Sequence, residues 1–222
     1  MSALLAPLSL ALVAAPTLQS TATAPIGSGP EAVGDPASWI TIMDYPTAAI
    51  RAEHEGRSIV EVMIDTNGRG VRCRVLHTSG VVALDQAGCA ALMRRGRWRA
   101  TLDSSGQPVF AVLRRQIYWS HLDRRQQSAA KMPMPPDVEV DVAQLPVGAD
   151  KSTVVVRQIQ SADGRIESCI VAVPSASPAL DAAACGAAAT LAGHDLIYDV
   201  NGAAVRGARW RRVQFREASR PN

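Results

Sequence analysis

The chain has 222 residues, of which 47% are hydrophobic, 19% charged and only 4% aromatic, with a formal net charge of +3. That length holds one large domain or two small ones; the composition is too apolar for a disordered chain, and the charge is too small to mark a dedicated nucleic-acid binder. No apolar run reaches the roughly 18 residues that a membrane-spanning helix needs.

Residues 3–15 form a short apolar stretch bounded by prolines, with the small residues Ser20-Thr21-Ala22 behind it. This reads as an export signal over 1–22 cleaved after Ala22, although no Lys or Arg supplies the usual positive start; the contrasting readings are a mis-assigned start and an uncleaved anchor. A flexible leader over 23–40 follows. Pro46–Arg51 predicts a short helix with Pro early in its first turn. Ile59–Ile64 predicts a strand, Asp65-Thr66-Asn67-Gly68 a hairpin turn in which Asn67-Gly68 supplies positive φ angles, and Val71–Val75 the returning strand. Over Gly80–Arg95 the period becomes helical, with Leu84, Gly88, Ala91, Leu92 and Arg95 on one face. Val109–Trp119 is a third, longer strand. Residues 123–137, rich in Ala, Met and Pro, read as a linker. The remaining elements are a strand at Val154–Ile159, a turn at Ser161–Gly164, a strand at Ile166–Val171, a helix from Pro178 and a strand at Val205–Phe215.

That second series repeats the first. A shift of 96 positions lays Gly68-Arg69 on Gly164-Arg165, Cys73 on Cys169 and Val75 on Val171. It lays Ala83-Leu84-Asp85 on Ala179-Leu180-Asp181, Cys89 on Cys185, Asp103 on Asp199, Gly106 on Gly202, Val109 on Val205 and Arg115 on Arg211. Matches of paired Cys, Gly and Leu-Asp at one fixed offset point to two copies of one small domain, 41–122 and 138–217. The expected fold is α+β: two tandem domains, each a three-stranded antiparallel sheet with a packed helix.

Each copy holds two cysteines 16 positions apart, and of the three pairings that four cysteines allow, the repeat singles out Cys73–Cys89 and Cys169–Cys185. Such a staple suits a thin core and an oxidising compartment. The rival readings are a metal site, redox thiols and buried free thiols. No Cys-x-x-Cys pair and no Cys/His cluster at ligand spacing supports the first two.

Asp44-Tyr45-Pro46-x-x-Ala49, Gly56 leading into Ile59–Ile64, Asp65-x-x-Gly68, Ser79-Gly80, Leu84-Asp85, Arg94-Arg95-x-Arg97-Trp98 and Gly106-x-Pro108-Val109 together form a distinctive pattern. In this the first copy resembles the C-terminal domain of TonB, the energy transducer of Gram-negative envelopes, with Tyr45, Pro46, Gly68, Leu84, Asp85, Arg97, Trp98 and Gly106 as the family-motif positions. The second copy keeps the hairpin, the Leu-Asp helix start, the cysteines and Gly202, and has His194-Asp195 where the Arg/aromatic segment should be. The resemblance implies a periplasmic, non-enzymatic protein that engages partners by strand addition. The partner-binding strand would be the last one, through Val109, Ala111, Leu113, Arg115, Ile117 and Trp119, left as an open edge. The partner it implies is the N-terminal segment of an outer-membrane transporter. For a chain without a stable membrane anchor, the resemblance carries over the binding half of a transducer's function and leaves the pulling half open.

No catalytic residue, metal site, cofactor or nucleic-acid partner is expected. The four histidines are scattered, and no nucleophile elbow, zinc helix or phosphate loop is present. Asp85 and Asp181 at helix starts read as capping acids. The runs Arg94-Arg95-Gly96-Arg97-Trp98-Arg99, Arg114-Arg115, Arg124-Arg125 and Arg209-Trp210-Arg211-Arg212 read as solvated faces. The contrasting reading is a structural or regulatory envelope protein, a homodimer or a chain whose two copies pair with each other.

Overall fold

A nearly continuous apolar run, buried on both faces, sets the first strand. β1 (Gly56–Ile64) buries Ile59, Val60, Val62, Met63 and Ile64, and pairs antiparallel with β2 (Gly70–His77). The computed structural model describes residues 29–120, 133–146 and 152–218. The export-signal reading of 1–22 and the linker up to 132 lie outside the described residues.

The β1–β2 turn differs from expectation in one respect. Gly68 alone takes a positive φ, at 78°, while Asn67 does not. The Gly68 amide donates to the Asp65 carbonyl and the Asp65 amide to the Arg69 carbonyl, so the loop is a turn followed by a left-handed glycine. The Asp65 carboxylate accepts from the Asn67 and Arg69 amides and fixes the turn. Space makes the same demand as conformation, because a Cβ at Gly68 would lie 1.8 Å from the Trp98 carbonyl oxygen.

Ahead of β1, α1 (Thr47–Arg51) follows Pro46 and buries Ala49. After β2, α2 (Val82–Arg95) lays Leu84, Gly88, Ala91 and Leu92 on the sheet, as the periodicity predicted. β3 (Thr101–Leu102) and β4 (Pro108–Trp119) follow, and β4 runs antiparallel to β1 from Ala111 to Trp119. The Cys73–Cys89 disulfide ties β2 to α2 with the Cα atoms 5.7 Å apart.

The second half begins with a strand that the sequence did not announce, β5 (Val138–Val142). β6 (Thr153–Gln160), β7 (Ile166–Val173), α3 (Pro178–Ala189) and β8 (Ile197–Tyr198) then recur in the order of the first half. The Cys169–Cys185 disulfide ties β7 to α3, with 5.9 Å between Cα atoms. Where the first half has one continuous strand, the second has β9 (Ala204–Val205), a break at Arg206, and β10 (Gly207–Glu217).

The strands join one eight-stranded sheet in the order β2-β1-β4-β10-β6-β7, with β3 on β4 and β5 on β10, while β8 and β9 form a separate hairpin. The two longer helices, α2 and α3, pack on opposite faces. Ala208 of β10 and Ile159 of β6 belong to the core under α2, with Leu84, Leu92, Val62 and Leu113. Val213 of β10 and Val154 of β6 belong to the core under α3, with Leu180, Ala184 and Ala188. Successive strand residues alternate faces, and 208 and 213 differ in parity, as do 159 and 154. A third cluster, Met63, Val112 and Ile197, puts the β8–β9 hairpin over the first half's sheet on the side away from α2. No helix among the described residues is long and apolar enough to cross a membrane.

The last strand of the first half is therefore not an open edge along its whole length, as the resemblance implied. β4 has β1 on one side and, at Phe110–Val112, β10 on the other. The reason is Gly207, whose lack of a side chain lets the β10 backbone close on β4.

Candidate functional site: the seam between β4 and β10

β4 presents its two faces to two different covers. Val109, Ala111, Leu113, Ile117 and Trp119 are buried in the core under α2, and Arg115 between them is half-buried with its guanidinium over the Trp39 ring, 5.8 Å from the centroid. Burial pushes the Arg115 guanidinium below its ordinary range. On the other face Phe110 and Val112 pack under the β8–β9 hairpin. Of the predicted set, Arg115 is the member that is not fully buried.

That edge is closed over three residues and open beyond them. Gly207, Ala208 and Arg209 pair parallel with Phe110, Ala111 and Val112. A Cβ on Gly207 would lie 2.8 Å from the Phe110 carbonyl oxygen and 2.8 Å from Ile197 Cδ1, so glycine is what permits this approach. Past Val112 the strands part: β10 continues along β6 and takes β5 on its other side from Val213 to Glu217. Between them opens a cleft of about 530 Å³. Four consecutive β4 residues, Leu113 to Gln116, line it, which means that the strand meets the cleft edge-on. Trp210, Arg212 and Val155 form its opposite side, and the leader crosses it at Gly29-Pro30. Among the described residues no strand pairs with β4 on this side from Leu113 onward.

A chain of charges crosses the seam on the α3 face. Arg209 and Arg211 are each 3% exposed. Arg209 donates to Glu61 of β1 at 2.7 Å, and Arg211 to Asp195 at 2.9 Å and to Asp137 at 3.4 Å. Asp137 in turn pairs with Arg114 of β4 at 2.8 Å, and Arg74 of β2 reaches Glu61 at 2.9 Å. Burial alone would raise the Asp195 carboxyl; Arg209 and Arg211 outweigh it and hold the group below the usual carboxylate range. A second bridge joins the halves at Asp103, whose carboxyl is held far below its ordinary value by Arg206 at 2.7 Å and by turn hydrogen bonds from Gln107 and Ser105.

These findings correct the solvated-face reading for Arg209 and Arg211, while Arg94 and Arg99 remain exposed. Arg94 and Arg95 both reach Asp44, and Arg97 bonds its neighbour's carbonyl at Gly96. Arg124 and Arg125 lie outside the described residues. A signal for the buried chain was present in the repeat: at the shift of 96, Leu113 becomes Arg209 while Arg99 becomes Asp195. A new cation and a charge reversal arrive together.

The motif positions are structural. Tyr45 is buried, packs edge-on against Trp119 at 5.0 Å and donates its hydroxyl to the His54 carbonyl. Pro46 precedes α1, Leu84 is fully buried, and Trp98 meets Trp39 edge-on at 4.9 Å. Gly106 turns with a φ of 78°. Asp85 accepts from the Thr78 hydroxyl and the Ser79 amide, and Asp181 from the Ser175 amide and hydroxyl. These acids tie down the loop ahead of each helix rather than capping helical amides.

The described residues thus form an α+β sheet with helices on both faces and a partly open edge on an internal strand. Residues 42–120, from the turn ahead of α1 to the end of β4, match the family model described as Gram-negative bacterial TonB protein C-terminal, which supports one TonB C-terminal domain over this part of the chain. No curated protein and no solved structure matches the chain.

Proposed function

We propose that this protein is a binding module of the Gram-negative envelope. Its residues 41–122 take an extended segment of a partner protein by strand addition along β4 from Leu113 to Trp119. The carrying observation is that β4, the last strand of the family-matched region, keeps an unpaired edge facing a cleft beyond Val112. Backbone hydrogen bonds supply affinity in such pairing, and pockets at alternate positions supply selectivity. The two disulfides fit an oxidising compartment, which here is the periplasm reached through the signal at 1–22. TonB C-terminal domains interact with proteins such as outer-membrane transporters, and the N-terminal segment of one is the partner this reading names. Residues 138–217 serve as a degenerate second copy that supports the first, through the β10 junction and the charges that cross it.

The test is crosslinking in living cells from a photoreactive residue at position 116, which lines the cleft, with a matched probe at position 168 on the β7 edge. An outer-membrane protein captured from 116 and not from 168 supports the reading. Capture from 168 alone, or from neither, contradicts it.

A further inference from the structure

The cleft carries charge as well as an edge. Arg115 and Arg212 both line it, and neither has a carboxylate within ion-pair reach among the described residues, whereas Arg114 beside them is matched by Asp137. Residues of β4 and β10 that face α2 have odd numbers in β4 and even numbers in β10, since Ala111 is paired with Ala208 and both lie in that core. Arg115 and Arg212 therefore sit on the same face of the seam, on opposite walls. Trp210 and Leu113 add apolar surface between them.

Resting on the strand-addition reading, we propose that the segment received in this cleft is acidic: an extended peptide whose carboxylates, on one face of the added strand, meet Arg115 and Arg212. The chain's own segments outside the described residues do not match this chemistry. Residues 1–28 contain no Asp or Glu. Residues 121–132 offer Asp123 against Arg124, Arg125 and Lys131, and residues 147–151 offer Asp150 against Lys151. A partner segment with its own carboxylates is the complementary occupant. A cation held over an aromatic ring and partly stripped of water gains more from such a partner than an exposed one does.

The experiment uses the full chain and a fluorescent nine-residue peptide of alternating valine and threonine with two glutamates four positions apart, against its twin with glutamine at both sites. By fluorescence anisotropy at low salt the glutamate peptide should bind about tenfold tighter, two partly buried ion pairs contributing a few-fold each. The preference should shrink severalfold in 0.5 M salt by about the screening expected of part-exposed charges. R115Q and R212Q, each checked for an unchanged circular dichroism spectrum, should each reduce the preference for the glutamate peptide about threefold. Equal binding of the two peptides refutes the acidic preference and leaves strand addition standing. Binding of neither peptide overturns strand addition itself. Self-association of the peptide-free chain that R212Q abolishes assigns the cleft to a second copy and overturns the proposal.

Discussion

Replacing Gly207 by alanine tests the geometry of the seam with one methyl group. The new Cβ would lie 2.8 Å from the Phe110 carbonyl oxygen and 3.2 Å from its carbon. The carbonyl cannot retreat cheaply, because β4 is held by β1 from Ala111 to Trp119. Ile197 Cδ1, the other atom at 2.8 Å, ends a flexible side chain but is packed against Met63 and Val112. Overpacking of this kind costs about 1–3 kcal/mol. Weakening the hydrogen bonds of a three-residue junction adds about 1 kcal/mol each at most. A loss of about 2–4 kcal/mol results, or roughly 5–10 °C in Tm for a chain of this size. Thermal unfolding by circular dichroism reads the loss, and hydrogen exchange locates it: amides at Phe110–Val112 and Gly207–Arg209 should exchange faster while those of β2 and β7 do not. A Tm within about 1 °C of the parent, with protection at Phe110–Val112 unchanged, would refute the claim that close backbone approach fixes the seam.

Four further outcomes follow from the same structure. Gly186→Ala, in exposed helix with nothing within 4 Å of the added Cβ, should stabilise by about 0.5–1 kcal/mol in chemical denaturation. Replacing Cys73 and Cys89 together by serine should cost about 3 kcal/mol in the same assay, the loop-closure value for a 16-residue separation. Asp137→Ala removes the acceptor shared by Arg114, Arg211 and the Arg212 amide, and should cost about 2–4 kcal/mol and loosen β5 in hydrogen exchange. Asp103 and Asp195 both have carboxyls depressed below the ordinary value of 3.8, so the stability they contribute is present above that value and is lost as pH falls below it. Urea unfolding followed against pH should show a flat region down to about pH 5 and a decline below about pH 4.

The repeat carried most of the fold into view. The β-branched apolar runs at Ile59–Ile64 and Val154–Ile159 marked β1 and β6, and the period change at Leu84, Gly88, Ala91 and Leu92 marked the helix face. These features are local, and the two cysteine pairs are close to local because the same bond repeats. The joining of the halves was not legible. It depends on three residues of β10 meeting three of β4, and Gly207 reads in sequence as a weak point in a strand rather than as the contact that closes the sheet. β5 was hidden for a similar reason: Val138–Val142 alternates well enough, yet its partner lies on β10, far along the chain. The buried arginines were misread because charge runs are assigned to solvent by default, and only comparison of positions 96 apart shows that Arg209 and Asp195 differ together from Leu113 and Arg99.

Hydrogen exchange on the full chain, with and without the glutamate peptide, tests the central claim most directly. Added protection should appear at the β4 amides between Leu113 and Trp119, while the outer edges of the sheet, β2 and β7, exchange as before. Protection gained along β2 or β7 with β4 unchanged would show that a partner strand adds elsewhere, and would contradict the account.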